Sequence, residues 1–438
     1  EMQLTPKEAQ AFWPVYNEAQ KEQEAIISET LKAYGALDKA VREGKGGKEI
    51  ENESWRTTLE VKGAEYVILE GFRIKGGPGK PTVRVGDAKG VRFRNCEIRG
   101  FGPAGRPKWG GTRGYCFENG IGCQMGAILL DENVSEVTIE RCFIHSPRGR
   151  ANSWRYSHPY GPAAVQGYRP ESVVIRWCDF IGSDSHRFED CVKSTKNGGL
   201  DTGLNRNSDV CGCFMFGAND DCIELDGGQQ NVLCEGNRFE GAYMGVSVQG
   251  CVVSPSYVVD NLVSGIGDEF GAGCTALKPN GFDFHKRGAP VCVFTDNVCW
   301  GPGRAFDPQK RAGPTGRFIQ GGNRLVAESE PVVPDYPRRP AGFLLDVARL
   351  DVGRDHAPRM IRVRLTGGAA EVPYEIAKND AFDWLQVTPA RGVLREGSEL
   401  MVSFDEAKMR ERPLYRGAFL VRTPEGLSRP VTVYASTD

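Results

Sequence analysis

The chain has 438 residues, which at roughly 150 residues per domain allows two or three domains, each with its own core. Lys plus Arg number 55 against 57 for Asp plus Glu, and a net charge of −2 supplies no general attraction to nucleic acid or to an anionic membrane. No apolar run approaches the ~20 residues that cross a bilayer, so no membrane span is expected. Glycine at 55 and proline at 26, with 9% aromatics, favour many short strands joined by tight turns over long helices. The chain opens on Glu1 rather than Met, so a leader is neither read nor excluded.

Residues 1–48 differ from all that follows. Thr5-Pro6-Lys7-Glu8 reads as an N-cap, a proline at the first helical position and a capping-box glutamate. Phe12, Trp13, Val15, Tyr16, Ala19, Ile26, Ile27, Leu31, Tyr34 and Leu37 then recur at roughly helical spacing. The pattern predicts a helix, kinked at Pro14 and ended by the Gly-Lys run at 44–48, that caps or leads into the next unit. The stretch LTPKEAQAFWPVYNEAQKEQ resembles small helical periplasmic stress proteins.

From 54 to 330 one frame recurs, V-x-Φ-x-x-Z-x-Φ with Φ usually apolar: VILEGFRI (67–74), VRFRNCEI (91–98), VTIERCFI (137–144) and VVIRWCDF (173–180). It returns less strictly in SDVCGCFM (208–215), VLCEGNRF (232–239), SYVVDNLV (256–263) and CVFTDNVC (292–299). The Z residues are Phe72, Cys96, Cys142, Cys178, Cys213, Asn237, Asn261 and Asn297, spaced by 24, 46, 36, 35, 24, 24 and 36. The base unit is therefore about 24 residues, with loop insertions and one coil hidden in the 46. Short strands at that period predict a parallel β-solenoid, whose coils stack at ~4.8 Å and bring like residues into ladders. The 14 cysteines all lie between Cys96 and Cys299 and include no CxxC pair. They read as free buried thiols filling a narrow interior, and the asparagines as a hydrogen-bonded ladder at a turn.

This segment resembles the right-handed parallel β-helix of pectate lyases, polygalacturonases and many bacterial secreted proteins. More narrowly, Asp184-x-His186-x-x-x-Asp190 followed by Asp220-Asp221-x-Ile223-Glu224 resembles one bacterial group of such β-helices. The resemblance implies a secreted or periplasmic protein whose partner is a polysaccharide. After it, the proline-rich PVVPDYPRRPAG (331–342) reads as a linker. Residues 343–438 alternate as short strands, which predicts an antiparallel sandwich. DWLQVTPARGVLREGSELMVSFD, with Trp384, Pro389 and Gly392, resembles the BACON-type immunoglobulin-like modules of bacterial carbohydrate-active proteins, which implies a spacer or a carbohydrate contact. The expected class is mainly β: a parallel β-helix with an N-terminal α-helical segment and a C-terminal immunoglobulin-like β-sandwich.

Side chains that point outward from stacked coils line up along a groove suited to an extended polymer. The insertions between 96 and 178 carry Arg148, Arg150, Trp154, Arg155, Tyr156 and His158. Aromatic faces stack on sugar rings and guanidinium groups grip carboxylates or sulfates, so these six are candidate binders of an acidic glycan, against a reading as solvated loop residues. The densest acidic run is Asn219-Asp220-Asp221-Cys222-Ile223-Glu224-Leu225-Asp226. Aligning Asp190-Cys191-Val192-Lys193 with Asp221-Cys222-Ile223-Glu224 stacks Asp190 on Asp221 and Lys193 on Glu224, about 5 Å apart. Like charges that close split their pKa values, as a general acid and its partner require.

Three readings follow for this cluster. As a glycoside hydrolase, the chain would use Asp190, Asp220, Asp221 and Glu224; here Asp220-Asp221-Cys222 resembles the DDC of polygalacturonases, and LDTG (200–203) faintly resembles their Asn-Thr-Asp. The histidine of that family falls near Met244-Gly245, so its mechanism is not carried over whole. As a lyase, it would hold calcium on the same acids, with Lys193, Lys278 or His186 as base. As a scaffold, the acids would cap turns and neutralise Lys193. Apart from calcium in the lyase reading, no cofactor is expected.

Overall fold

A computed structural model of the chain describes residues 49–51, 59–77, 81–102, 107–109, 115–117, 125–194, 203–248, 255–273, 275–278, 291–300, 304–306, 317–327, 330 and 335–437. The helix expected within 1–48 and most of the stretch 103–124 lie outside the described residues. Among the described residues there is no α-helix, and no helix is long and apolar enough to cross a membrane.

The chain winds through three parallel sheets in turn. Leu59–Lys62 lies in the first, Ile68–Glu70 in the second and Arg73–Lys75 in the third, and Val83–Gly86 returns to the first. Repetition gives nine strands in each of the first two sheets and ten in the third, among the described residues. Apolar residues of the repeating frame point inward, so Phe93, Ile139 and Ile175 stack in register in the second sheet, and Ile98, Ile144 and Phe180 in the third. All six are fully buried in one core.

The corner between the second and third sheets explains the Z column. The residue before Z takes a left-handed conformation, with φ of +71° at Gly71, +50° at Asn95, +56° at Arg141 and Trp177, +60° at Gly212 and +62° at Gly236. The turn aims Z into the core, where it must find a partner for any polar atom. The thiols of Cys96, Cys142, Cys178 and Cys213 donate to carbonyls one coil back, on Leu69, Phe93, Ile139 and Ile175. Asn237, Asn261 and Asn297 do the same at 2.9 to 3.0 Å and also accept from the backbone N–H of the preceding Z residue. The ladder runs one rung further than the sequence frame, to Asn323. Ten described cysteines, the four Z thiols among them, are free.

The 46-residue spacing holds no hidden coil. Ile144 pairs directly with Ile98, and Ile139 with Phe93. The extra length is an insertion in one turn from the third sheet to the first, and it carries a small hairpin of Pro107–Trp109 with Tyr115–Phe117. A pattern of turn residues cannot distinguish a coil from an insertion of the same length.

Beyond the coils, a four-stranded sheet contains Phe343–Leu345, Arg359–Leu365, Glu399–Phe404 and Leu385–Thr388. A five-stranded sheet contains Arg349–Val352, Ser428–Ser436, Leu414–Arg422, Val372–Lys378 and Arg391–Leu394. The two sheets share one apolar cluster. The arrangement is not wholly antiparallel as expected, because Arg349–Val352 runs parallel to Ser428–Ser436.

This C-terminal unit sits on the outer face of the third sheet. Phe143, Ile181, Phe214 and Phe216 project from the coils into its apolar cluster. Arg339 makes a buried ion pair with Asp179 at 2.8 Å, and Ser428 donates to the same carboxylate at 2.7 Å. The stretch expected as a linker is seated against the coils over 335–342: Tyr336 packs with Leu262, Val298 and Trp300, and the Arg338 N–H donates to the Gly236 carbonyl at 2.8 Å. Gly236 is required there, since a Cβ would lie 2.9 Å from that of Arg338.

Candidate functional site

The acidic run falls where the chain turns from the third sheet into the first. Val192 pairs with Ile223, Ile223 with Val246 and Val246 with Leu277, and all four are buried in the core. Their neighbours on the other face therefore form a row across coils: Lys193, Glu224, Ser247 and Lys278. Asp190 and Asp221 come together at the start of these strands, where the Asp221 N–H donates to Asp190 Oδ1 at 2.8 Å. One oxygen from each of Asp190, Asp220 and Asp221 lies within 4.8 Å of the others.

Burial at this cluster is severe. Asp190, Asp220 and Asp221 are exposed by only 2%, 3% and 1%. Burial raises Asp190 well above the usual carboxylate range, and Glu224, Asp220, Glu189 and Asp221 add to the shift. Burial raises Asp221 likewise, partly offset by Lys278, whose Nζ is 3.7 Å from Oδ2; among the described residues neither Asp221 oxygen has a hydrogen-bond donor. Asp220 is raised less. Burial still dominates, but Lys278, the Trp154 indole N–H at 2.8 Å, His158 and Lys193 all favour its charged form. Environment thus separates three like residues into two that resist ionising and one that resists less.

Two acids that the sequence reading did not assign to the site belong to the same network. Glu189 accepts from Lys193 at 2.5 Å and from the Gly161 N–H at 2.7 Å. Asp226 accepts from Ser247 at 2.9 Å, and burial raises it. A signal for Glu189 was present, because extending the alignment of Asp190 with Asp221 by one residue stacks Glu189 on Asp220, whose N–H donates to the Glu189 carbonyl at 2.9 Å. The lysines are poor bases here: burial alone would lower Lys193 and Lys278, but Glu189 and Asp221 respectively, with further acids, leave both raised and protonated.

His186 is not brought to the cluster. It lies in the turn Ser183–His186, bonded to Ser185 Oγ, and burial with nearby Arg150 and Arg412 lowers its pKa. Sequence proximity to Asp190 failed because the chain turns a corner between them.

The six candidate binding residues divide. Trp154 and His158 adjoin Asp220, with His158 Nε2 4.0 Å from Oδ2. Arg155 and Tyr156 are exposed and contact Phe270, itself exposed, on the loop Gly265–Gly273. Arg150 pairs with Glu269 of that loop at 3.2 Å. Arg148 is turned away and donates to the carbonyls of Gly76 and Gly100. Phe270 carried no sequence signal, since it lies outside the repeating frame.

No family model matches this chain, and no curated protein matches it. Among solved structures, a rhamnogalacturonan lyase is similar at 10% identity and a TM-score of 0.35, over 58% of this chain and 64% of its own. Tailspike protein 2 of Escherichia coli O157:H7 bacteriophage CAB120 is similar at 9% identity and 0.28, over 88% of this chain and 62% of its own. The A-module of Azotobacter vinelandii mannuronan C-5 epimerase is similar at 10% and 0.28, over 67% of this chain and 90% of its own. The chain thus spans less than two thirds of the first two.

Proposed function

We propose that the chain cleaves a polysaccharide by hydrolysis at the Asp190, Asp220 and Asp221 cluster. The observation that carries the reading is the split among these carboxylates. Asp221 and Asp190 favour the protonated form and supply a general acid for the leaving glycosidic oxygen. Asp220, raised less because Lys278, Trp154 and His158 offset its burial, attacks the anomeric carbon as the leaving oxygen takes that proton, and a water activated by the first carboxylate then releases the sugar; oxygens within 4.8 Å suit this retaining route. Glu224, opposite Lys193 in the outward row, belongs with the acids. Trp154, Arg155, Tyr156 and His158, with Phe270, supply aromatic faces and cationic groups for an acidic glycan chain.

A lyase reading is kept by one observation, the three carboxylate oxygens within 4.8 Å, which fits the ligand span of a calcium ion. Against it stand the protonated lysines and a His186 whose hydrogen bonds are to Ser183 and Ser185 of its own turn. The proposal further takes 54–330 as the coiled unit and 343–438 as a BACON-like immunoglobulin unit, in a secreted protein.

The test is a panel of acidic and neutral polysaccharides, with and without chelator, read for reducing ends and for unsaturated uronates. Hydrolysis gives reducing ends alone, insensitive to chelator. Asp220→Asn and Asp221→Asn should each lower kcat by at least about a hundredfold, the scale of general acid–base catalysis. Unsaturated product lost on chelation would establish the lyase instead, and unchanged turnover in both variants would remove the cluster from the chemistry.

A further inference from the structure

The C-terminal unit reaches past the third sheet to the loops that wall the carboxylate cluster. Arg416, on the strand Leu414–Arg422, is only 11% exposed, and its guanidinium grips three residues of two segments at once. Nε and Nη2 lie 3.2 and 3.0 Å from the two oxygens of Asp184, in the turn Ser183–His186. Nη1 donates to the Asp268 carbonyl and Nη2 to the Glu269 carbonyl, each at 3.1 Å, in the loop Gly265–Gly273. A planar fork with five donors can hold such an arrangement, and a point charge cannot.

From that loop the contacts lead to the site. Asp268 accepts from the Phe270 and Ala272 N–H groups at 2.9 and 3.0 Å and from Ser153 Oγ. The Glu269 carboxylate pairs with Arg150, and its N–H donates to Asn219 Oδ1 at 3.3 Å. Asn219, fully buried, donates in turn to the Ala151 carbonyl at 2.9 Å. Ser153 and Arg155 flank Trp154, which donates to Asp220, and Asn219 adjoins Asp220 in the chain.

We propose that the C-terminal unit is a working part of the site, and that Arg416 is a positioning residue: by clamping Asp184 and the loop Gly265–Gly273, it fixes the loop 150–158 and so holds Trp154 against Asp220. The structural half stands on these contacts alone; the functional half rests on the carboxylate cluster being the site of turnover.

The experiment uses the full chain with Arg416→Gln and Arg416→Lys, and Arg422→Gln as an interface control. Arg422 docks the same unit elsewhere, donating to Asn95 Oδ1 and the Arg141 carbonyl at 2.9 and 3.0 Å. Amide exchange is followed in 150–158 and 266–273, and acrylamide quenching of Trp154 is isolated by difference against Trp154→Phe. Arg416→Gln should speed exchange in both loops by about tenfold or more, the effect of losing one or more charge-assisted hydrogen bonds, and should raise Trp154 quenching. Arg416→Lys should restore only part of the protection, and it also serves if the glutamine variant does not fold. Arg422→Gln should leave both loops as in the parent. Unchanged loops in Arg416→Gln, or an equal change in Arg422→Gln, would overturn the proposal. On any glycan the parent turns over, Arg416→Gln should lower kcat about tenfold to a hundredfold while Arg422→Gln does not. A parent silent on every glycan would defeat the functional reading, while exchange and quenching would still decide the clamp.

Discussion

A carboxylate 1% exposed, with neither oxygen hydrogen-bonded among the described residues, is costly to keep ionised, and Asp221 is such a group. Because burial raises its folded pKa well above the unfolded value, the folded state holds more protons than the unfolded state between the two. Stability from this group is therefore fullest at and below the ordinary carboxylate pKa and declines as pH rises toward the folded value. Asp190 and Asp226 are raised by burial too and slope the same way. Asp221→Asn removes one ionisation from the cluster, so it should raise stability at neutral pH by about 0.5–2 kcal/mol and flatten the decline, while lowering kcat by at least about a hundredfold. Thermal unfolding across pH checks it; a lowered midpoint at neutral pH would mean that Lys278 compensates the charge more fully than 3.7 Å suggests.

At the scale of the repeating element, the Z ladder separates two kinds of rung. Among the described residues the Asn261 side chain takes part in five hydrogen bonds: it donates to the Cys234 carbonyl and to Asn297, and accepts from the Asn237 backbone and side chain and from the Cys234 thiol. Asn261→Ala strands several of these buried partners, and a cost of roughly 3 kcal/mol or more is expected. Cys178→Ala loses a small apolar group and a weak donor, for about 1 kcal/mol. Urea unfolding of the pair gives the contrast, and equal losses would mean that the ladder is packing alone. This column was legible because a run of Cys and then a run of Asn recur at one frame position. The corner before it was not, since Gly71, Asn95, Arg141 and Trp177 share a positive φ but no chemistry. The stacking of Asp190 on Asp221 was legible for the same reason as the ladder, and the same alignment carried one residue back stacks Glu189 on Asp220, whereas Phe270 lies outside the repeating frame.

For the whole molecule, the docking of the C-terminal unit was written in strands whose two faces are both apolar. Phe214-Met215-Phe216 puts Met215 in the coil core and both phenylalanines outside it, a pattern that only a second covering layer accommodates. The buried charges point the same way. Asp179, 1% exposed, depends on Arg339 and Ser428 from beyond the coils, and Arg238, fully buried beside Glu240, donates to the Ala348 carbonyl and to Thr432. Removing one partner of a buried pair leaves an uncompensated charge, so Arg339→Met should destabilise the full chain by about 3–5 kcal/mol. The loss should fall on one shared transition rather than on a separate C-terminal melt, because the apolar cluster that Asp179 borders belongs to both units. Calorimetry distinguishes these outcomes: a single endotherm displaced as a whole supports one cooperative body, whereas two endotherms with the coil transition unmoved would make the C-terminal unit a bead on the chain, and the contacts of Arg416 with it incidental.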